Sequence, residues 1–172
     1  ACAGVASMPD AIDPALAQCV AQACASRGIA MAAVSGTFNV INPHERVRAD
    51  GMRRLDVLAG ACAALGTRIV TMSTGTRDAE NMWRHHADND SPGAWKDLCA
   101  SMERAVRIAE KHDVVLAFEP EVSNVADSAR KGRQLLDDIG SPRLRVVIDG
   151  ANLFHAGELP RMREILDEAF EL

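Results

Sequence analysis

Three of the four apolar segments spaced along this chain are unbroken runs, not alternations of apolar and polar residues; Ile29-Ala30-Met31-Ala32-Ala33-Val34 and Val114-Val115-Leu116-Ala117-Phe118 show the pattern. A strand with one face in water alternates, whereas a continuous run suits a strand covered on both faces, the usual state of a parallel sheet. Parallel neighbours cannot be joined by a tight hairpin, so each pair needs a crossover, normally a helix, which returns right-handed. The constraint therefore predicts strands and helices in strict alternation.

The segments between the runs meet that requirement. Asp13-Pro14 offers a cap and a first-turn proline for a helix that stops before Arg27-Gly28. A strand over 29–34 ends in Ser35-Gly36-Thr37. Asn42-Pro43 with Glu45 reads as a capping box for a second helix, whose stripe Leu55, Leu58, Ala59, Cys62, Leu65 runs to Gly66. The strand 68–72 leads to the longest irregular stretch, residues 73–90, and a stretch of that length in a compact domain is commonly functional. Ser91-Pro92 opens a third helix with the stripe Trp95, Leu98, Cys99, Met102, Ala105, Val106, Ala109. Strand 114–119, helix 125–139, strand 144–149 and a last helix from 159 to about 170 complete the reading.

The strands start near residues 30, 68, 114 and 144, about 38 residues apart on average. Eight such units need about 300 residues, a size usual for a (β/α)8 barrel, so the 172 residues hold about four of them. With no linker-like composition anywhere, residues 1–172 read as one partial α/β domain with parallel strands. Apolar residues make up 48 % of the chain while aromatics are 3 % and Tyr is absent, so the core rests on aliphatic side chains and Met. A net charge of −5 without a basic run argues against nucleic-acid or anionic-membrane partners, and no stretch has the roughly 18 apolar residues of a membrane span. The first residues lack the basic and apolar regions of a secretory signal; Ala1 is not an initiator Met, which leaves processing or truncation open. Cys2, Cys19, Cys24, Cys62 and Cys99 are odd in number without a CxxC pair, and read as reduced residues of a cytoplasmic protein.

Two predicted strands end in a carboxylate, at Glu119 and Asp149. In a parallel sheet the C-terminal strand ends share one rim, so acids there face a common crevice, and oxygen ligands gathered in this way suit Mn²⁺ or Mg²⁺, with Co²⁺ or Zn²⁺ as alternatives. The bland alternative is that both acids cap helices or pair with Arg.

The stretches Ser35-Gly36-Thr37-Phe38-Asn39, Ser73-Thr74-Gly75-Thr76-Arg77-Asp78, Met82-Trp83-Arg84, Phe118-Glu119-Pro120-Glu121 and Asp149-Gly150-Ala151-Asn152-Leu153 resemble the xylose isomerase-like TIM barrels, the sugar phosphate isomerase/epimerase family. The resemblance runs from about residue 28 to 172 and implies the central strands of the barrel. It implies Glu119 as a metal ligand that also moves a proton beside a carbonyl, and Asp149 as the ligand on the next strand. Asn152 stands where many relatives place a substrate-contacting His, and an amide can hydrogen-bond a sugar hydroxyl but not act as an acid or base near neutral pH. The family's later His and Glu ligands have no counterpart before Leu172, so the segment supplies half of a site. A sugar, polyol or keto-acid is the implied substrate, with metal-assisted proton transfer next to a carbonyl as the reaction.

Further substrate-contact candidates are Trp83, by stacking on a sugar face, Arg77, as a clamp for a phosphate or carboxylate, Glu121 and Asn39. Against each stands an ordinary role: loop anchor, salt bridge with Asp78 or Glu80, helix cap, and turn residue. Two other readings stay open: a metal-dependent phosphodiesterase like endonuclease IV, and an incomplete barrel, inactive alone, whose open edges leave room for a homo-oligomer.

Overall fold

A computed structural model describes residues 8–172; Cys2 lies outside them. The strands are β1 (Val34–Ser35), β2 (Ile69–Ser73), β3 (Val115–Glu119) and β4 (Leu144–Val146), and the helices are α1 (Pro14–Ala25), α2 (Glu45–Leu65), α3 (Pro92–His112), α4 (Ala129–Ile139) and α5 (Met162–Phe170). The strands form one sheet in the order β1-β2-β3-β4, every neighbouring pair parallel. Sequential order and parallel pairing are what a barrel segment requires, and the chain folds as an α/β partial barrel.

Local sequence accounts for the helix ends. Asp13 and Ser91 cap α1 and α3 through their side chains, each followed by proline in the first turn, and Ser128 caps α4. Gly66 and Gly140 end α2 and α4 in the left-handed conformation, where the absence of a Cβ removes the steric penalty. The expected box at Asn42 is not formed. His44 precedes α2 without a side-chain cap, and the Asn42 side-chain Oδ1 accepts from the His44 N–H, not from a first-turn N–H of the helix.

One face of the sheet carries the core. Val34, Val70, Leu116 and Leu144 share a register level, and Met72, Phe118 and Val146 the next. Against them pack Leu55, Leu58, Leu98, Met102 and Leu135. The stripe predicted for α3 is the one that buries Leu98, Met102, Ala105, Val106 and Ala109.

The other face holds Ser35, Thr71, Ala117 and Arg145 at one level, with Ser35 and Arg145 exposed and Ile69 at a strand start 40 % exposed. Ala117 and Ser73 on this face are buried, so the expected burial on both faces is met in part here and more fully on the helix side among the described residues. The inner face of a barrel turns towards further strands, and no described residue fills that role. Four boundaries also shift. The strand expected over 29–34 shrinks to Val34–Ser35, with Ile29 57 % exposed, because β1 has a partner on one side only among the described residues. Helix α4 starts four residues late, as Val125 and Ala126 donate their N–H groups to Gly75 O and Thr74 Oγ1. Strand β4 stops at Val146, and the last helix is preceded by a 3-10 segment, Ala156–Arg161.

Cys19, Cys24, Cys62 and Cys99 are free thiols. Burial raises the Cys62 thiol to about 11, since an apolar surrounding disfavours the thiolate. At pH 8, Cys62 is therefore expected to resist a thiol-titrating disulfide reagent while exposed Cys19 reacts. Mass mapping of the modified peptides before and after addition of denaturant checks this, and rapid native labelling of Cys62 would refute the burial.

Candidate functional site

Glu119 is the last residue of β3, level with Ser73 at the end of β2. Beyond β4 the chain stays beside β3 through the Val147 N–H, which donates to Phe118 O. It then reaches Asp149, whose Oδ1 accepts from the Ala151 N–H at 2.9 Å and caps a 3-10 turn over Gly150–Asn152. That single turn brings the Asn152 side chain back between the two acids. Its Nδ2 donates to Glu119 Oε1 at 2.6 Å and to Asp149 Oδ2 at 3.4 Å. Glu119 is half-buried and Asp149 exposed, so neither carries the full penalty of a buried charge.

Two carboxylates converging on one donor nitrogen form an arrangement in which a cation can replace the donor. Both are hard oxygen ligands of the kind Mg²⁺ and Mn²⁺ take, and in this respect they fit a divalent ion. Among the described residues no group of three His, Cys, Asp or Glu is gathered.

The rim behind the pair is fixed by buried asparagines. Asn39 donates to Thr76 O and Asp78 O and accepts from Thr76 N–H. Asn89 accepts from Arg77 N–H and Thr76 Oγ1 and donates to Ser123 O. Asn124 accepts from Gly75 N–H at 2.7 Å and donates to Glu121 Oε2 at 2.6 Å. The Val122 N–H then donates to Asn152 O at 3.0 Å. A continuous set of hydrogen bonds thus links the loops after β1, β2 and β3 to Asn152, and no buried side-chain polar atom is left unpaired among the described residues.

The remaining candidates sit around this framework. Asn39 is buried, with both ends of its amide engaged in the loop after β2. Glu121 accepts from Ser123 Oγ and Asn124 Nδ2, shaping its own loop. Arg77 pairs with Asp97 of α3 at 2.8 Å, not with Asp78 or Glu80. Asp78 pairs with Arg84, which together with the Asn81 and Glu80 N–H groups holds its carboxyl well below the usual carboxylate range. Trp83 is 58 % exposed. Asn39, with Phe38 and Met82, lines a cleft of about 400 Å³, and His85, Val122, Leu153 and His155 line another of about 590 Å³; Glu119, Asp149 and Asn152 line neither.

Sequence reasoning missed Asn89 and Asn124. Their partners lie up to 49 residues away along the chain, and a loop asparagine otherwise reads as a turn former.

The family model described as xylose isomerase-like TIM barrel matches residues 3–171. No curated protein sequence matches the chain. Among solved structures, a xylose isomerase-like TIM barrel protein from Mycobacterium smegmatis in complex with magnesium aligns with a TM-score of 0.69 at 12 % identity, over 93 % of this chain and 54 % of that one. A 3-keto-D-glucoside 4-epimerase from E. coli aligns at 0.66 and 15 %, over 91 % and 64 %. A D-allulose 3-epimerase from Methylomonas sp. in complex with D-allulose aligns at 0.63 and 17 %, over 83 % and 49 %. At such identities the likeness is one of fold, and the chain spans about half to two thirds of the length of these structures.

Proposed function

The chain belongs to the xylose isomerase-like TIM barrel family, and we propose that it carries part of the active site of a divalent-metal-dependent isomerase or epimerase, acting on a small sugar, polyol or keto-acid by proton transfer next to a carbonyl. The observation that supports this reading is the convergence of Glu119 and Asp149 on one nitrogen. The epimerase neighbours agree with it at the level of fold.

In this reading Glu119 and Asp149 hold the cation. An Mn²⁺ or Mg²⁺ ion held by these residues would supply Lewis-acid polarisation of the substrate carbonyl. Glu119 moves the proton at the neighbouring carbon, a task a carboxylate performs when held within hydrogen-bond reach of that carbon's proton. Asn152 and exposed Trp83 lie closest to the role of substrate contacts, one through its amide and the other through its ring face. Arg77, Asn39 and Glu121 hold the rim in place through the partners named above. The net charge of −5 favours a small-molecule substrate over a nucleic acid. Free thiols suit a cytoplasmic setting, and no helix among the described residues is long and apolar enough to cross a membrane.

Two measurements test the proposal. With Mn²⁺ in D₂O, a panel of ketoses is expected to acquire deuterium at the carbon next to the carbonyl, read by NMR; no exchange with any member at saturating metal would refute the reaction. Asp149→Asn is expected to weaken Mn²⁺ binding by more than the 10–100-fold typical of a lost outer-shell partner. Equal affinity of variant and parent would remove Asp149 from the site.

A further inference from the structure

Asn152 is tied at its backbone by two hydrogen bonds. Its N–H donates to Asp149 O at 3.1 Å and its C=O accepts from Val122 N–H at 3.0 Å, so the main chain is tied to β4's end on one side and to the loop after β3 on the other. Only its side chain is left to move, and that side chain is half-buried at the opening of the site. The amide nitrogen meets Glu119 Oε1 at 2.6 Å and Asp149 Oδ2 at 3.4 Å. A nitrogen cannot share that place with an ion that must approach both oxygens to about 2.0–2.2 Å.

We infer that Asn152 is a positioning residue whose amide occupies the cation's place and must turn aside for the cation to enter; the inference rests on the metal-holding reading of Glu119 and Asp149. With the amide in place, its two N–H groups offset the repulsion between the carboxylates and keep them converged. With the amide turned out, the ion takes over that task and the side chain becomes free to meet substrate. The cost is that only molecules with the amide turned aside can take the ion, and apparent affinity falls by that fraction. Because Asp149 Oδ1 remains engaged with the Ala151 N–H, Oδ2 and Glu119 Oε1 are the atoms released.

Mn²⁺ titration followed by the EPR signal of the free ion tests this without any assay of turnover. Asn152→Ala removes the competing donor, and Asn152→Leu removes it while keeping side-chain bulk; both retain the two backbone bonds, and far-UV circular dichroism verifies folding. Each variant is expected to bind Mn²⁺ about three- to tenfold more tightly than the parent. Equal or weaker binding by folded variants would overturn the inference while leaving the metal pair standing. Failure of parent and variants alike to bind Mn²⁺ would overturn the metal-holding reading, and the inference with it.

Discussion

Glu119→Gln is expected to abolish most proton exchange next to the substrate carbonyl, by about 10³-fold at saturating Mn²⁺, while leaving the fold intact. General acid–base groups contribute about 10²–10⁴-fold, and the middle of that range corresponds to about 4 kcal/mol of barrier. Glutamine keeps the length and shape of the side chain and can still accept from Asn152 Nδ2 through its carbonyl oxygen. What it loses is the charge and the ability to carry a proton. Glu119 is half-buried and opens on the inner face of the sheet, and its register partner is Ser73, an uncharged residue, so no ion pair on β2 is broken by the change. The discriminating comparison is with Asp149→Asn, whose loss should be recovered in part by raising the metal concentration, whereas that of Glu119→Gln should persist at saturation. Retention of more than a tenth of the parental exchange rate in Glu119→Gln would exclude this carboxylate as the proton carrier.

Glu119 was readable as a strand-end acid because the C-terminal ends of parallel strands share a rim, and it does end β3; Asp149, read as the end of the fourth strand, instead lies three residues beyond β4, where it caps a 3-10 turn. Helix α3 was legible because its cap Ser91, first-turn Pro92 and apolar stripe are all local. The shortened β1 was not, since the extent of a strand is decided by its partners, and Val34 and Ser35 alone are matched by Val70 and Thr71. Nor was the late start of α4, which depends on Gly75 and Thr74 capturing the N–H groups of residues about 50 positions further on. The position of Asn152 between the acids arises from a 3-10 turn that Asp149 itself caps, so one residue's two oxygens serve local structure and site at once. Spacing alone does not reveal that division of labour.

The framework behind the site predicts its own weakest point. Gly75 adopts φ +76°, and a Cβ built there would lie 2.5 Å from Asn39 Oδ1 and 3.1 Å from the Val40 nitrogen, with Ile41 Cγ1 at 3.2 Å. Gly75→Ala therefore adds left-handed strain, about 1–2 kcal/mol for an alanine, to a collision with a side chain that cannot yield freely. The amide of Asn39 is buried and bonded to Thr76 and Asp78, and leaving such groups unpaired costs about 1–3 kcal/mol. The expected total is about 2–5 kcal/mol, a large share of the roughly 5–15 kcal/mol that holds a typical domain together. Gly66 supplies the control: it has φ +83° with no atom within 4 Å of a built Cβ, so Gly66→Ala carries the strain without the collision and is expected to cost about 1–2 kcal/mol. Urea unfolding of the two variants separates the terms as a difference in midpoint at unchanged slope. Gly75 also bonds Asn124 and Val125 through its own N–H and C=O, so the variant should lose Mn²⁺ affinity as well, through the Glu121–Val122 loop that anchors Asn152. Equal destabilisation of the two alanine variants would show that backbone conformation, and not the asparagine framework, sets the requirement for glycine at position 75.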